Sequence, residues 1–133
     1  LAGYIYEEAR KAHTDGTPIV RPLFFANPDN AAYLDQFDQF FLGPDIMVAP
    51  IWKSGVTERE VMIPDGDWID AWTLEAIEGP VTVTTDAAKH KIPIYLRADS
   101  TVDLGDLEQK WQDARTKAAN KPDLELLEAG AEF

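Results

Sequence analysis

The chain has no cysteine and only two histidines, His13 and His90, among its 133 residues. Disulfides and thiolate metal sites are therefore excluded, and a zinc site would need a carboxylate-heavy ligand set, so no metal or cofactor is expected. A cysteine-free chain suits a reducing cytosol, and a cytoplasmic location is the expectation. Basic residues are scarce as well: 12 Lys and Arg stand against 24 Asp and Glu, for a formal charge of −12. Such a field repels phosphate backbones and anionic lipid headgroups, which argues against nucleic-acid and membrane-surface partners and leaves room for a neutral ligand such as a sugar. No apolar run reaches the ~20 residues that a membrane-spanning helix needs. A GxSxG elbow, a phosphate loop, a zincin motif and a Gly-rich dinucleotide fingerprint are all missing.

What is present is ordinary globular material, 45% hydrophobic and 27% charged, of one-domain length. The opening "LAGYIYEEAR" reads as a helix already under way, so its lack of a basic, then apolar leader says nothing about one. Residues 1–15 read as the end of an amphipathic helix, with Leu1, Tyr4, Ile5, Ala9 and Ala12 at helical spacing, Gly16 as its stop and Pro18 beyond. "PIVRPLFF" follows as a short and almost wholly apolar run. It predicts a strand buried on both faces, as in a parallel sheet, with Pro22 sitting awkwardly in it.

From residue 39 the texture changes. "FFLGPDIMVAPIW" reads as a turn and a strand, "KSGVTEREVMIP" as a hairpin bending at Gly55, and "PDGDW" as a tight turn. That turn leads into "WIDAW", where Trp68 and Trp72 share a side. "VTVTT" and "IPIYLRA" continue the alternation, with Ile92, Ile94 and Leu96 on one face. Short strands punctuated by Gly, Pro and Asp predict an antiparallel β-sandwich. The tail from Leu104 returns to helix, with Leu107, Trp111, Ala114 and Ala118 on one edge and Pro122 ending it; "DLELLEAGAEF" follows.

Few residues offer themselves for chemistry. Glycoside hydrolysis needs two carboxylates facing one sugar, and in a barrel they come from the ends of several strands. Only one strand of that kind is predicted here, and the acid just past it, Asp29, reads as a turn former or helix cap in "NPDN". Arg21, a charge in a buried strand, requires a partner, and a structural ion pair with a barrel carboxylate is expected. Trp68 and Trp72 either pack in the core or form a sugar-stacking platform. His13 complements a helix C-terminus, and His90, between Lys89 and Lys91, reads as a solvated turn residue.

Four stretches in order, "YIYEEARKAHTDGTPIVRPLF", "DQFFLGPDIMVAPIW", "REVMIPDGDWIDAWT" and "IPIYLRADS", resemble the C-terminal portion of glycoside hydrolase family 31, the α-glucosidase and α-xylosidase family. The "AWT…RADS" wording leans toward its bacterial α-xylosidase and sulfoquinovosidase-like branch. The resemblance implies residues 1–38 as the end of a catalytic (β/α)8 barrel, its last helix and strand. It implies 39–102 as the proximal β-sandwich, with a helical tail over 103–133. The family's catalytic pair of aspartates matches no position here and is expected upstream of residue 1, so no catalytic residue is assigned and substrate-binding residues stay open. The implied parent is a retaining α-glycosidase that meets an α-linked oligosaccharide through the missing barrel, with homo-oligomerisation left open. Leu74 stands where the family usually has Gly, and Phe37 where an Asp often precedes Asp38–Gln39. The alternative is a free-standing carbohydrate-binding sandwich using Trp68 and Trp72; a third is a purely structural module.

Overall fold

The computed structural model describes residues 1–86, 88 and 91–119. The chain opens with α1 (Ala2–Asp15), then β1 (Val20–Pro22), a 3-10 turn (Leu23–Phe25) and the short α2 (Ala31–Leu34). There follow β2 (Phe40–Leu42), β3 (Ile46–Val48), β4 (Glu58–Asp70), β5 (Ala76–Asp86), β6 (Ile94–Arg97) and α3 (Leu107–Ala119). The six strands form one sheet in the order β1-β2-β3-β6-β4-β5, and every pairing is antiparallel. No described helix is long and apolar enough to cross a membrane.

The antiparallel β character is as expected, but the barrel strand is not found. Residues 20–22 pair antiparallel with β2 at the edge of the same sheet that holds the rest of the chain, and Val20 is exposed. Pro22, which has no N–H to donate, is tolerated at such an edge. The apolar run was read as one strand, whereas it splits: Val20–Pro22 extends, and Leu23–Phe25 turns inward to bury Leu23.

Helix α1 ends as predicted. Gly16 takes a left-handed conformation (φ 79°) and its N–H returns to the Ala12 carbonyl. Its buried face is different from the apolar spacing, since Leu1 and Ile5 are exposed and Glu8 is the one fully buried residue of the helix. The cause is Arg21, whose guanidinium meets Glu8 at 2.8 Å across the α1–β1 corner. Tyr4, one turn earlier, donates to the Leu42 carbonyl (2.9 Å) and accepts from the Asp45 N–H (3.1 Å), which clamps the β2–β3 turn. Gly43 in that turn has φ 64°, and a Cβ there would lie 2.2 Å from the Tyr4 hydroxyl.

"PDGDW" is not a turn. Strand β4 runs through it, and its register with β5 passes from Ile63↔Val81 to Gly66↔Gly79, so two residues on β4 oppose Pro80 alone. That count is a β-bulge, which bends the ribbon without ending the pairing. The hairpin lies later, at residues 71–75, where the Asp70 carboxylate accepts the Trp72 and Thr73 N–H groups at 2.7 and 3.1 Å. Leu74 in this turn has φ 62°, a left-handed conformation that favours glycine, consistent with the family's residue there. The Gly55 bend joins β3 to β4, which are not neighbours, so it is no hairpin either.

Strand β6 arrives last among the strands and inserts between β3 and β4. Its core residue is Tyr95, fully buried, whereas Ile94 and Leu96 are half-buried and Ile92 is exposed, so the predicted face is inverted. The core gathers Leu23, Tyr33, Phe41, Met47, Ala49, Val61, Ile63, Trp68 and Tyr95. Phe41 and Trp68 stack with centroids 6.0 Å apart. Their strands are three strand spacings apart, roughly 14 Å in a flat sheet, so the face is strongly coiled and bulky side chains bridge it. Helix α3 forms as predicted but buries no residue fully, and its Glu108 pairs with Lys91 at 3.3 Å. The helical reading of "DLELLEAGAEF", the Pro122 stop and the His90 turn lie outside the described residues.

Candidate functional site

The residues singled out from sequence do not converge. Arg21 is spent on structure: besides Glu8 it binds the Pro18 carbonyl through Nε (2.7 Å). Its carboxylate partner lies within this chain, on α1, and Lys11 approaches the same carboxylate from the helix surface. Asp29 is exposed in its turn, and the cap of α2 is Asn30, whose side chain accepts the Ala32 N–H at 3.0 Å. His13 is exposed in the last turn of α1.

Trp68 is fully buried, with Arg97 4.5 Å from its ring centroid and its indole N–H on the Pro64 carbonyl (3.0 Å). It has no face to offer a sugar. Trp72 sits in the hairpin turn, with its indole N–H on the Ile92 carbonyl and Lys91 over its ring. The two indoles therefore do not form a shared stacking platform, and the free-standing carbohydrate-binding alternative loses the residues it was built on.

The structure instead assembles a cluster that the sequence reading passed over. The loop before β2, the β3–β4 loop and the start of β4 meet at Asp38, Trp52 and Arg59. Arg59, only 10% exposed, pairs with the Asp38 carboxylate at 3.0 Å and also donates to the carbonyls of Asp38 and Pro50. The other Asp38 oxygen accepts the Trp52 indole N–H at 3.2 Å. Trp52 is thus oriented while remaining 66% exposed, and the Lys53 ammonium lies 4.8 Å from its ring centroid. Beside it Phe37 is 89% exposed.

A groove of about 420 Å³ runs past this cluster, with Gln36, Glu58, Glu60 and Thr82 along it. At its floor Gln39 is buried, and its amide makes two bonds of 2.8 Å to one residue, accepting the Met62 N–H and donating to the Met62 carbonyl. Met62 pairs with β5 on its other side, so the Gln39 amide acts as a single residue of neighbouring strand for the unpaired edge of β4. A signal for this cluster did exist in the sequence: Arg59 occupies an alternating position on β4, and a cation in that row must find an anion.

Chemically the cluster positions and does not react. Glu8, the buried carboxylate among the described residues, is neutralised by Arg21 and Lys11, and Asp38 is ion-paired with Arg59 and accepts the Trp52 indole N–H. Burial holds the hydroxyls of Tyr4, Tyr33 and Tyr95 above the usual tyrosine range, so they resist ionisation in alkaline solution. Among the described residues no group of three or more His, Asp or Glu is arranged to hold a metal.

The comparisons with known proteins agree on one family. Residues 16–102 match the family model described as the glycosyl hydrolase family 31 C-terminal domain. The chain is 34% identical over 109 residues to "Alpha-glucosidase 2" of Bacillus thermoamyloliquefaciens, covering 82% of this chain and 14% of that protein. It is 37% identical over 100 residues to a sulfoquinovosidase of Escherichia coli (strain K12), covering 75% of this chain and 15% of the relative. Among solved structures, the crystal structure of a family 31 α-xylosidase from a soil metagenome, complexed with xylose, superposes with a TM-score of 0.71. The identity there is 37%, over 74% of this chain and 15% of that one. The chain spans about one-seventh of the length of these relatives. On this combination of strand order and matched residues, the chain belongs to glycoside hydrolase family 31 and corresponds to that family's C-terminal domain.

Proposed function

We propose that this chain is the C-terminal part of a retaining α-glycoside hydrolase that releases terminal, non-reducing α-linked sugars. Its role in that enzyme is to support a catalytic barrel that precedes residue 1. The observation that carries the reading is the match of the C-terminal domain over residues 16–102, in a chain one-seventh the length of its glycosidase relatives. The site chemistry is consistent with it, because the buried Glu8 and the half-buried Asp38 are held in ion pairs with Arg21 and Arg59. Relatives named α-glucosidase and α-xylosidase differ in the sugar and share the α-linkage. The "AWT…RADS" wording favours the α-xylosidase and sulfoquinovosidase-like branch, and a cytoplasmic location belongs to the same proposal.

The test uses the complete protein with aryl α-glucoside, α-xyloside and α-sulfoquinovoside. Hydrolysis of at least one is expected, with the α-anomer appearing first by proton NMR, as retention requires. Conservative replacement of each carboxylate within residues 1–133 should leave kcat in place. Loss of all turnover on replacing one of them, in a protein that stays folded, would sink the proposal.

A further inference from the structure

Two aromatic rings stand largely open at the Asp38 cluster, Phe37 and Trp52, with the Lys53 ammonium over the Trp52 ring. Phe37, Phe40, Pro50 and Trp52 enclose, with Asp38, a hollow of about 390 Å³ that opens into the groove along β4. We propose that this hollow seats an apolar anchor, flanked by Lys or Arg, from the catalytic portion of the same polypeptide. The inference rests on reading the chain as the C-terminal part of a larger enzyme.

Four observations support it. Phe37 and Trp52 are 89% and 66% exposed side by side, and a soluble protein rarely leaves such a pair open to water without using it. Trp52 is also held in one orientation, because Asp38 fixes its indole N–H and the nearly buried Arg59 fixes Asp38. A rigid aromatic loses little entropy on being covered, which is why such residues dominate interface energies. The rim supplies the charge preference: with Arg59 paired to Asp38, Glu58 and Glu60 outnumber Lys53 along the groove, and Glu58 stands directly opposite Asp86 across the β4–β5 ribbon. Like charges in that position repel, and a cation brought between them relieves the repulsion. Finally, about six-sevenths of the length of the relatives lies outside this chain, so a large covering surface is at hand.

An oligosaccharide is the competing occupant. It needs free polar groups around the ring, whereas four of the five residues of the hollow are apolar and the fifth, Asp38, is ion-paired with Arg59 and accepts the Trp52 indole N–H.

The experiment is hydroxyl-radical footprinting and hydrogen exchange on the complete protein. Phe37 and Trp52 should oxidise as slowly as the buried Trp68. The Trp52→Ala and Glu58→Lys/Glu60→Lys variants should each raise amide exchange at residues 36–40, Trp52→Ala by about thirtyfold, as the loss of one interface anchor implies. Oxidation of both rings at the rate of free aromatics would overturn the proposal. So would protection that appears only when isomaltotriose is added, which makes the hollow a sugar site. Protection that fades on dilution would place a second copy there and overturn it equally. Aryl glycoside hydrolysis is read separately: protected rings in a protein that hydrolyses nothing would remove the activity proposal and leave this one standing.

Discussion

Replacing Gln39 tests the claim that one side chain completes the edge of a strand. Its amide satisfies both the N–H and the carbonyl of Met62, each at 2.8 Å, and lies against the Met47 sulfur. Gln39→Met keeps the volume and removes both bonds. Each backbone group left without a partner costs about 1–3 kcal/mol. Met62 is half-buried, so water recovers part of that, and the low end of the range applies: roughly 2–3 kcal/mol in all. At 1.4 kcal/mol per factor of ten, exchange of the Met62 amide through local opening should accelerate by about thirty- to a hundredfold. Gln39→Glu separates hydrogen bonding from packing. At neutral pH a carboxylate there still accepts the Met62 N–H but faces the Met62 carbonyl, which repels it. Protonated, the same group donates to that carbonyl and restores both bonds, so this variant should be better protected near pH 4 than at pH 7. Hydrogen exchange on the complete protein at the two pH values reads every arm. Unchanged Met62 exchange in Gln39→Met, or a Gln39→Glu variant indifferent to pH, would refute the reasoning.

The remaining predictions follow from backbone space and burial. Leu74 holds φ 62° while mostly exposed, so Leu74→Gly trades a left-handed cost of about 1–2 kcal/mol for a glycine entropy cost of about 0.5–1. Thermal unfolding should shift upward by a degree or more, and a downward shift would contradict the assignment. Gly79→Ala should abolish soluble folding, because its Cβ would lie 1.9 Å from the Pro64 backbone oxygen and neither strand of the bulge has room to yield. Arg21→Met should cost about 3 kcal/mol by leaving Glu8 buried with only Lys11, and Arg21→Met/Glu8→Gln should recover part of it in a double-mutant cycle. Tyr4, Tyr33 and Tyr95 all have their hydroxyls raised above 10.0 by burial. The unfolded chain therefore ionises first as pH climbs: stability is complete below about pH 10 and lost above it. Melting from pH 8 to 11 checks this, and Tyr95→Phe should flatten the decline.

Sequence patterning predicted elements better than pairings. Helix α1, its Gly16 stop, the strand-rich middle and helix α3 were legible because each depends on local periodicity or on a residue with a special backbone. The strand partners were not. "IVRPLFF" is apolar throughout, and apolarity alone does not separate a strand buried on two faces from an edge strand followed by an inward turn. "PDGDW" carries every mark of a tight turn, yet the pairing partner decides its conformation. Gly79, twelve residues beyond the Asp67 of that motif, has no side chain and so lets the Pro64 carbonyl bulge toward it. The inverted face of β6 has the same origin. A strand inserted between β3 and β4 takes its orientation from two neighbours, and Tyr95 offers more surface to bury than Ile94 or Leu96.

The candidate site was less legible than the fold for a related reason. Asp38, Trp52 and Arg59 are far apart in sequence and unremarkable singly; the β4 edge brings them together. Arg59 does the gathering, since a nearly buried guanidinium must satisfy its donors, and it does so on one carboxylate and the backbone of two separate loops. Once those loops are fixed, the side chains that point the other way, Phe37 and Trp52, have no choice but to face water or a partner. The exposed rings are therefore a consequence of the buried charge, and Arg59→Met should disorder them: it leaves Asp38 without its cation and frees the Trp52 indole. If the hollow is a docking surface, that variant should weaken docking as much as Trp52→Ala does while leaving both rings in the chain. An Arg59→Met protein with Trp52 still protected would show that the orientation of the indole is set by the covering surface and not by this cluster.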